Sequence, residues 1–84
     1  MYSWEFSETA LKEFKRLPQD IQKRLIKKLD YFISTNKPLD FAESLINSDI
    51  GQYRFRVGDY RIIFDLEEEV VFVLSLGHRR EIYK

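Results

Sequence analysis

The sequence predicts an α+β fold in which an N-terminal strand and a two-helix hairpin pack on an antiparallel sheet, in the order β-α-α-β-β-β. Three patterns carry this expectation. Tyr2, Trp4 and Phe6 alternate with Ser3 and Glu5, which is the period of a strand with one aromatic face. Apolar residues then recur at helical spacing in two successive stretches. From Gly51 onward the period returns to two.

Each element has a local cause. Ser7 is a good helix N-cap, and Glu8 in the first turn suits the helix dipole. Ala10, Leu11, Phe14 and Leu17 give the first helix its apolar side. Pro18 closes that helix and can begin the next at its first turn. In the second helix Ile21, Leu25, Leu29 and Phe32 form one stripe, which Ile26 and Ile33 widen. Ser34 to Asn36 and Pro38 end it. Residues 37–50 are irregular, and Phe41, Leu45 and Ile46 suggest a loop pinned to the core with room for one helical turn. Tyr53, Phe55 and Val57 then alternate with Arg54 and Arg56 up to a Gly58-Asp59 hairpin turn. Tyr60, Ile62, Phe64 and Leu66 continue on one face, with Arg61, Ile63 and Asp65 on the other. Glu67 to Glu69 break the pattern before a last strand from Val70 to Leu76.

Composition narrows the function classes. At 84 residues the chain reads as one domain, 1–84, with neither repeats nor a linker. A hydrophobic fraction of 44% supports a core and is too high for a disordered chain. Without cysteine there is no disulfide framework and no Cys-based metal site, which fits a cytoplasmic setting. No apolar run is long enough to span a membrane, and no signal peptide is visible. The 14 basic and 14 acidic residues cancel, so attraction to a nucleic acid must come from how charge is distributed. Phosphate-loop, dinucleotide-fold and metal-ligand spacings are absent, and no cofactor is expected.

The distribution of arginine is the informative feature. A two-residue turn at Gly58-Asp59 pairs Val57 with Tyr60 and Arg56 with Arg61, and cross-strand partners share a face. Arg54, two residues back, joins them. Like charges directly opposite each other are destabilising, so stability alone does not favour this arrangement, whereas an anionic ligand does. The apolar residues of both strands take the other face, so the arginines are expected on a helix-free face open to a partner. The last strand runs into Gly77, His78, Arg79 and Arg80, with Tyr83 close behind, all expected on that same side. Arginine binds phosphate bidentately and stays charged, histidine transfers protons near neutrality, and tyrosine stacks on bases. Together these are groups that can cleave RNA without a metal, by deprotonating a 2′-OH and stabilising a pentavalent phosphorane.

Plainer readings stand beside this one. Arg54 and Arg56 suit any polar strand face, Arg61 can pair with Asp59 or Asp65, and Arg79 and Arg80 can pair with Glu67 to Glu69. Lys23, Arg24, Lys27 and Lys28 on the second helix read first as a solvated face, and in the sharper reading as a phosphate-facing surface.

Two segments together resemble a known family. They are Tyr53-Arg54-Phe55-Arg56-Val57-Gly58-Asp59-Tyr60-Arg61 and Gly77-His78-Arg79-Arg80-Glu81-Ile82-Tyr83. The chain is similar to the RelE branch of the RelE/ParE toxin superfamily over essentially its whole length. The resemblance implies a toxin of a type II toxin–antitoxin system, neutralised by a small antitoxin, that cleaves mRNA in the ribosomal A site and meets DNA only through the antitoxin complex. It matches Arg54, Arg56, Arg61, Arg79 and Tyr83 to the family's functional positions. Arg61 and Arg79 would stabilise the phosphate, Tyr83 would orient or stack on the substrate, and the basic residues of the second helix would face ribosomal RNA. Better-known members carry lysines where this chain has Arg54 and Arg56, which leaves His78 as the candidate for the general base. Two other functions share this scaffold: a ParE-like gyrase poison and a non-toxic antitoxin-binding module.

Overall fold

A computed structural model of the chain describes residues 1–82. The elements are β1 (Ser3–Phe6), α1 (Glu8–Lys15), α2 (Gln19–Ser34), a 3₁₀ turn (Pro38–Phe41), β2 (Ala42–Ser44), β3 (Tyr53–Val57), β4 (Tyr60–Glu67), β5 (Val70–His78) and a one-turn α3 (Arg79–Ile82). All five strands form one sheet in the order β1-β5-β4-β3-β2. The sheet is mixed rather than wholly antiparallel, because β1 runs parallel to β5 while every other pair is antiparallel.

The helices form where the sequence signals lie. Ser7 accepts the Ala10 N–H on its Oγ at 3.0 Å and caps α1. Its hydroxyl also donates to the Leu74 carbonyl, which ties the cap to β5. Pro18 stands just ahead of α2, and its carbonyl accepts the Gln22 N–H. Leu25, Leu29 and Phe32 of α2 are buried on the sheet against Phe55, Val57, Ile62, Phe64, Val71, Val73 and Leu76. Packed rings run through this core, with Phe32 and Phe55 tilted at 4.5 Å between centroids and Phe55 and Phe64 stacked at 4.3 Å. Fully burying side chains of this size is worth about 1.5–3 kcal/mol each, so this face holds the helices.

Residues 37–50 follow the sequence reading only in part, with the helical turn formed at Pro38–Phe41. Phe41 does stack on Phe32 at 4.9 Å, but Ile46 is 84% exposed and is not pinned to the core. The unforeseen edge strand β2 pairs with β3. The loop after it folds back across the sheet face opposite the helices. Gln52 holds it there, its N–H donating to Asp65 Oδ1 at 2.9 Å while its side-chain oxygen accepts the Leu66 N–H at 3.0 Å. Gly51 passes so close to Ile63 that a Cβ would lie 2.6 Å from Ile63 Cγ2. Ile63 is consequently fully buried on what the sequence suggested was an open face.

β1 ends at Phe6, opposite Val73, so β5 continues beyond it. Glu13 of α1 reaches that stretch, and its carboxylate accepts the Leu76 N–H at 3.2 Å and the Ser75 hydroxyl at 2.9 Å. No helix among the described residues is long and apolar enough to cross a membrane.

Candidate nucleic-acid interface

The site is built on the β3–β4 hairpin. Gly58 takes a φ of +59°, which glycine adopts without strain, and the turn pairs Val57 with Tyr60, Arg56 with Arg61 and Arg54 with Ile63. Arg54, Arg56 and Arg61 therefore share the face away from α2, with Arg56 and Arg61 directly opposite each other.

Their environments differ. Arg61 is not open to a partner as the pattern suggested; only 9% of it is exposed. Its Nη1 donates to the Gly58 carbonyl at 2.8 Å and to the Tyr60 carbonyl at 2.9 Å, so neither Asp59 nor Asp65 neutralises it. Arg54 and Arg56 share one carboxylate. Glu43 of β2 lies directly across from Arg54; its Oε2 is 3.0 Å from Arg54 Nη2 and its Oε1 is 2.8 Å from Arg56 Nε. The hydrogen bond from Arg54 holds the Glu43 carboxyl below its ordinary value of 4.5; desolvation works the other way, and the charges of Arg54, Arg56 and Arg61 add to the lowering. Sequence reasoning missed Glu43. It lies in a three-residue strand with no alternation to mark it, and only the sheet brings it to the arginines.

The chain end docks on the same hairpin turn. The Arg79 N–H donates to the Asp59 carbonyl at 2.7 Å, and Arg79 Nε lies 3.6 Å from Asp59 Oδ1. Arg24 reaches the turn from α2, and a Cβ at Gly58 would run into its guanidinium. Three arginines from three elements thus converge on Gly58-Asp59. Arg80 is exposed, and among the described residues it makes no ion pair with Glu67, Glu68 or Glu69.

His78 is not on the arginine side. It pairs with Tyr60, whose ring it meets edge-on at 5.4 Å, and so shares the helix-side face. The cause is a bulge. Phe64 pairs with Val73 but Ile63 with Ser75, so Leu74 is an extra residue that reverses the facing of everything after it. The ring is also engaged locally, since Nδ1 accepts the Arg80 N–H at 3.1 Å. Tyr83 lies outside the described residues.

Apart from Arg24, which reaches the hairpin turn, the cations of α2 are a separate group on the outer side of a helix that covers the opposite face of the sheet. Lys23, Arg24, Lys27 and Lys28 are all exposed. Arg24, Lys27 and Lys28 line a shallow groove of about 420 Å³ with Tyr31, and Lys28 Nζ lies 5.9 Å from the Tyr31 ring centroid. Lys23 belongs to a neighbouring groove with Phe14, Gln22 and Ile26.

Known proteins place the fold. The family model described as the ParE toxin of type II toxin–antitoxin systems matches residues 4–83. The chain belongs to this toxin family. Its similarity runs to the RelE type. It is 33% identical over 87 residues to the mRNA interferase toxin RelE of Escherichia coli K12, covering 98% of this chain and 90% of that one. It is 29% identical to the toxin RelE3 of Methanocaldococcus jannaschii, covering 93% and 91% of the two chains. The toxin–antitoxin complex RelBE2 of Mycobacterium tuberculosis contains a chain that superposes with a TM-score of 0.81 at 25% identity, covering 93% of this chain and 98% of that one. The intact RelBE complex of Escherichia coli gives a TM-score of 0.71 at 28% identity, covering 93% and 96%. The protein is thus a RelE-type toxin of a type II toxin–antitoxin system.

Proposed function

We propose that this RelE-type toxin is a metal-independent endoribonuclease that cleaves mRNA on the ribosome and thereby stops translation in the cytoplasm. The observation that carries the reading is Arg61, a nearly buried guanidinium bound by two backbone carbonyls and set opposite a second arginine. Such a pairing costs stability in the free protein and is repaid by an anion. A relative one-third identical, named an mRNA interferase, supports RNA as that anion.

Guanidiniums stay charged at any working pH, so the arginines act electrostatically. Arg54 and Arg56 seat the scissile phosphate, Arg61 stabilises it with its charge from a nearly buried place behind them, and Arg79, anchored on the same turn, offsets the charge of the phosphorane. Tyr83 stacks on or orients the substrate. Arg80 adds a phosphate contact, and Lys23, Arg24, Lys27 and Lys28 meet ribosomal RNA. The solved relatives in complex with RelB support an antitoxin partner, whose acidic side chains would meet the arginine face.

Induction of the chain alone in bacteria tests this reading. Growth should arrest and translated mRNA should be cut, and Arg79→Ala should relieve both while the circular dichroism spectrum stays that of the folded chain. Arrest that persists in Arg79→Ala, or altered DNA supercoiling with intact mRNA, would remove the nuclease reading; the second result would point to gyrase.

A further inference from the structure

Glu43 has no part in the reading so far, yet it occupies its centre. Each of its two carboxylate oxygens faces a different guanidinium, at 3.0 Å from Arg54 and 2.8 Å from Arg56. A phosphate bridging the two arginines would present its oxygens in the same way. We infer that Glu43 sits in the phosphate seat of the arginine face as an internal counter-anion, which an RNA phosphate must displace before the face is engaged. This inference rests on the RNA-directed reading of that face.

Three features make Glu43 a displaceable occupant rather than a structural bridge. It stands on a three-residue edge strand, so only one side of its backbone is held by the sheet. Its side chain is 45% exposed and that of Arg56 59%, so the pair is open to water and salt and holds weakly. Finally, its charge answers a defect that exists only in the free protein. Arg56 and Arg61 repel across the hairpin until an anion arrives, and Glu43 supplies one until RNA does. Arg61 meanwhile is bound by carbonyls and needs no carboxylate, so the exchange concerns Arg54 and Arg56. The charge so removed from the face also lessens its pull on stray anions, a selectivity set by competition.

The test is RNA binding by the full chain, read by fluorescence anisotropy with a labelled single-stranded RNA oligonucleotide over a salt series. Glu43→Gln keeps the shape and removes the charge. It should bind about 3- to 10-fold more tightly at low salt. The slope of log affinity against log salt should steepen by about 0.7 for each phosphate contact no longer shared with the acid. Glu43→Asp keeps the charge on an arm too short to bridge both guanidiniums, and should fall between the two. If wild type binds and Glu43→Gln binds no more tightly, the counter-anion idea is overturned while the RNA reading stands. If neither binds, the counter-anion inference fails, and the reading of the face is then decided by the mRNA-cutting test of Arg79→Ala. If Glu43→Gln binds as wild type but cuts more slowly at saturating RNA, Glu43 belongs to the chemistry and the inference is again overturned.

Discussion

On one face of the sheet, Arg54 and Arg56 close on the Glu43 carboxylate and Arg61 on two carbonyls. On the outer side of α2, no carboxylate of the described residues pairs with Lys23, Arg24, Lys27 or Lys28. The two basic regions lie on opposite sides of the same sheet and differ in how they are held. Arginines fixed by partners are preorganised, and can position a phosphate to within a hydrogen bond. Lysines free in solvent attract at long range and position little. A chain of zero formal charge can still carry two basic regions, because among the described residues the α2 cations pair with no carboxylate while Glu43 meets Arg54 and Arg56.

The sharpest way to break this comparison is Arg61→Ala. It leaves the Gly58 and Tyr60 carbonyls without their donor, and should cost about 2–4 kcal/mol in urea unfolding together with about a hundredfold or more in RNA cleavage. A loss of activity with no loss of stability would show that Arg61 is no better anchored than the lysines. Next in size is Lys27→Glu with Lys28→Glu. Binding to ribosomes should weaken by about tenfold or more and recover little at low salt, while stability moves by about 0.5 kcal/mol or less. A large stability change there would erase the distinction from the other side.

Gly58→Ala probes the junction where the regions meet. The left-handed turn residue gains a Cβ that displaces the Arg24 guanidinium, and the cost should be about 1 kcal/mol, mostly backbone strain, because the side chain can move aside. The smallest effect is acidic. A carboxyl whose pKa is lowered by folding contributes stability that is fully present above its unfolded value and is lost as pH falls through the folded one. The Glu43 carboxyl is lowered in this way, so the Arg56 Nε–H resonance should keep its paired position until the pH drops below 4.5 and then shift. In Glu43→Gln that titration should vanish; its survival would mean that another acid holds Arg56.

Much of the fold was legible in the sequence because its signals are local. The Ser7 cap, the α2 stripe and the Gly58-Asp59 turn each depend on neighbours in the chain, and the turn alone places Arg56 opposite Arg61. What escaped depends on the sheet. The strand β2 is three residues of Ala, Glu and Ser, too short and too polar for a period, so Glu43 had no visible role. The extra residue at Leu74 leaves no mark at the end of an apolar run from Val70 to Leu74, yet it decides which way His78 points. The burial of Arg61 was hidden too, since a charged residue on an alternating strand reads as solvent-facing until its carbonyl partners are in place.

Glu13 carries a consequence for how these molecules behave in a crowd. Where β1 stops short, β5 would offer a bare backbone donor to any extended segment that drifts by, the usual beginning of unwanted strand-to-strand association. The Glu13 carboxylate fills that place from within the same chain, so an intruding segment would have to evict a charge already bonded to Ser75 and Leu76. A side chain of the first helix thus acts as a gatekeeper for the sheet, keeping a short, strand-rich protein from using its own edge as glue.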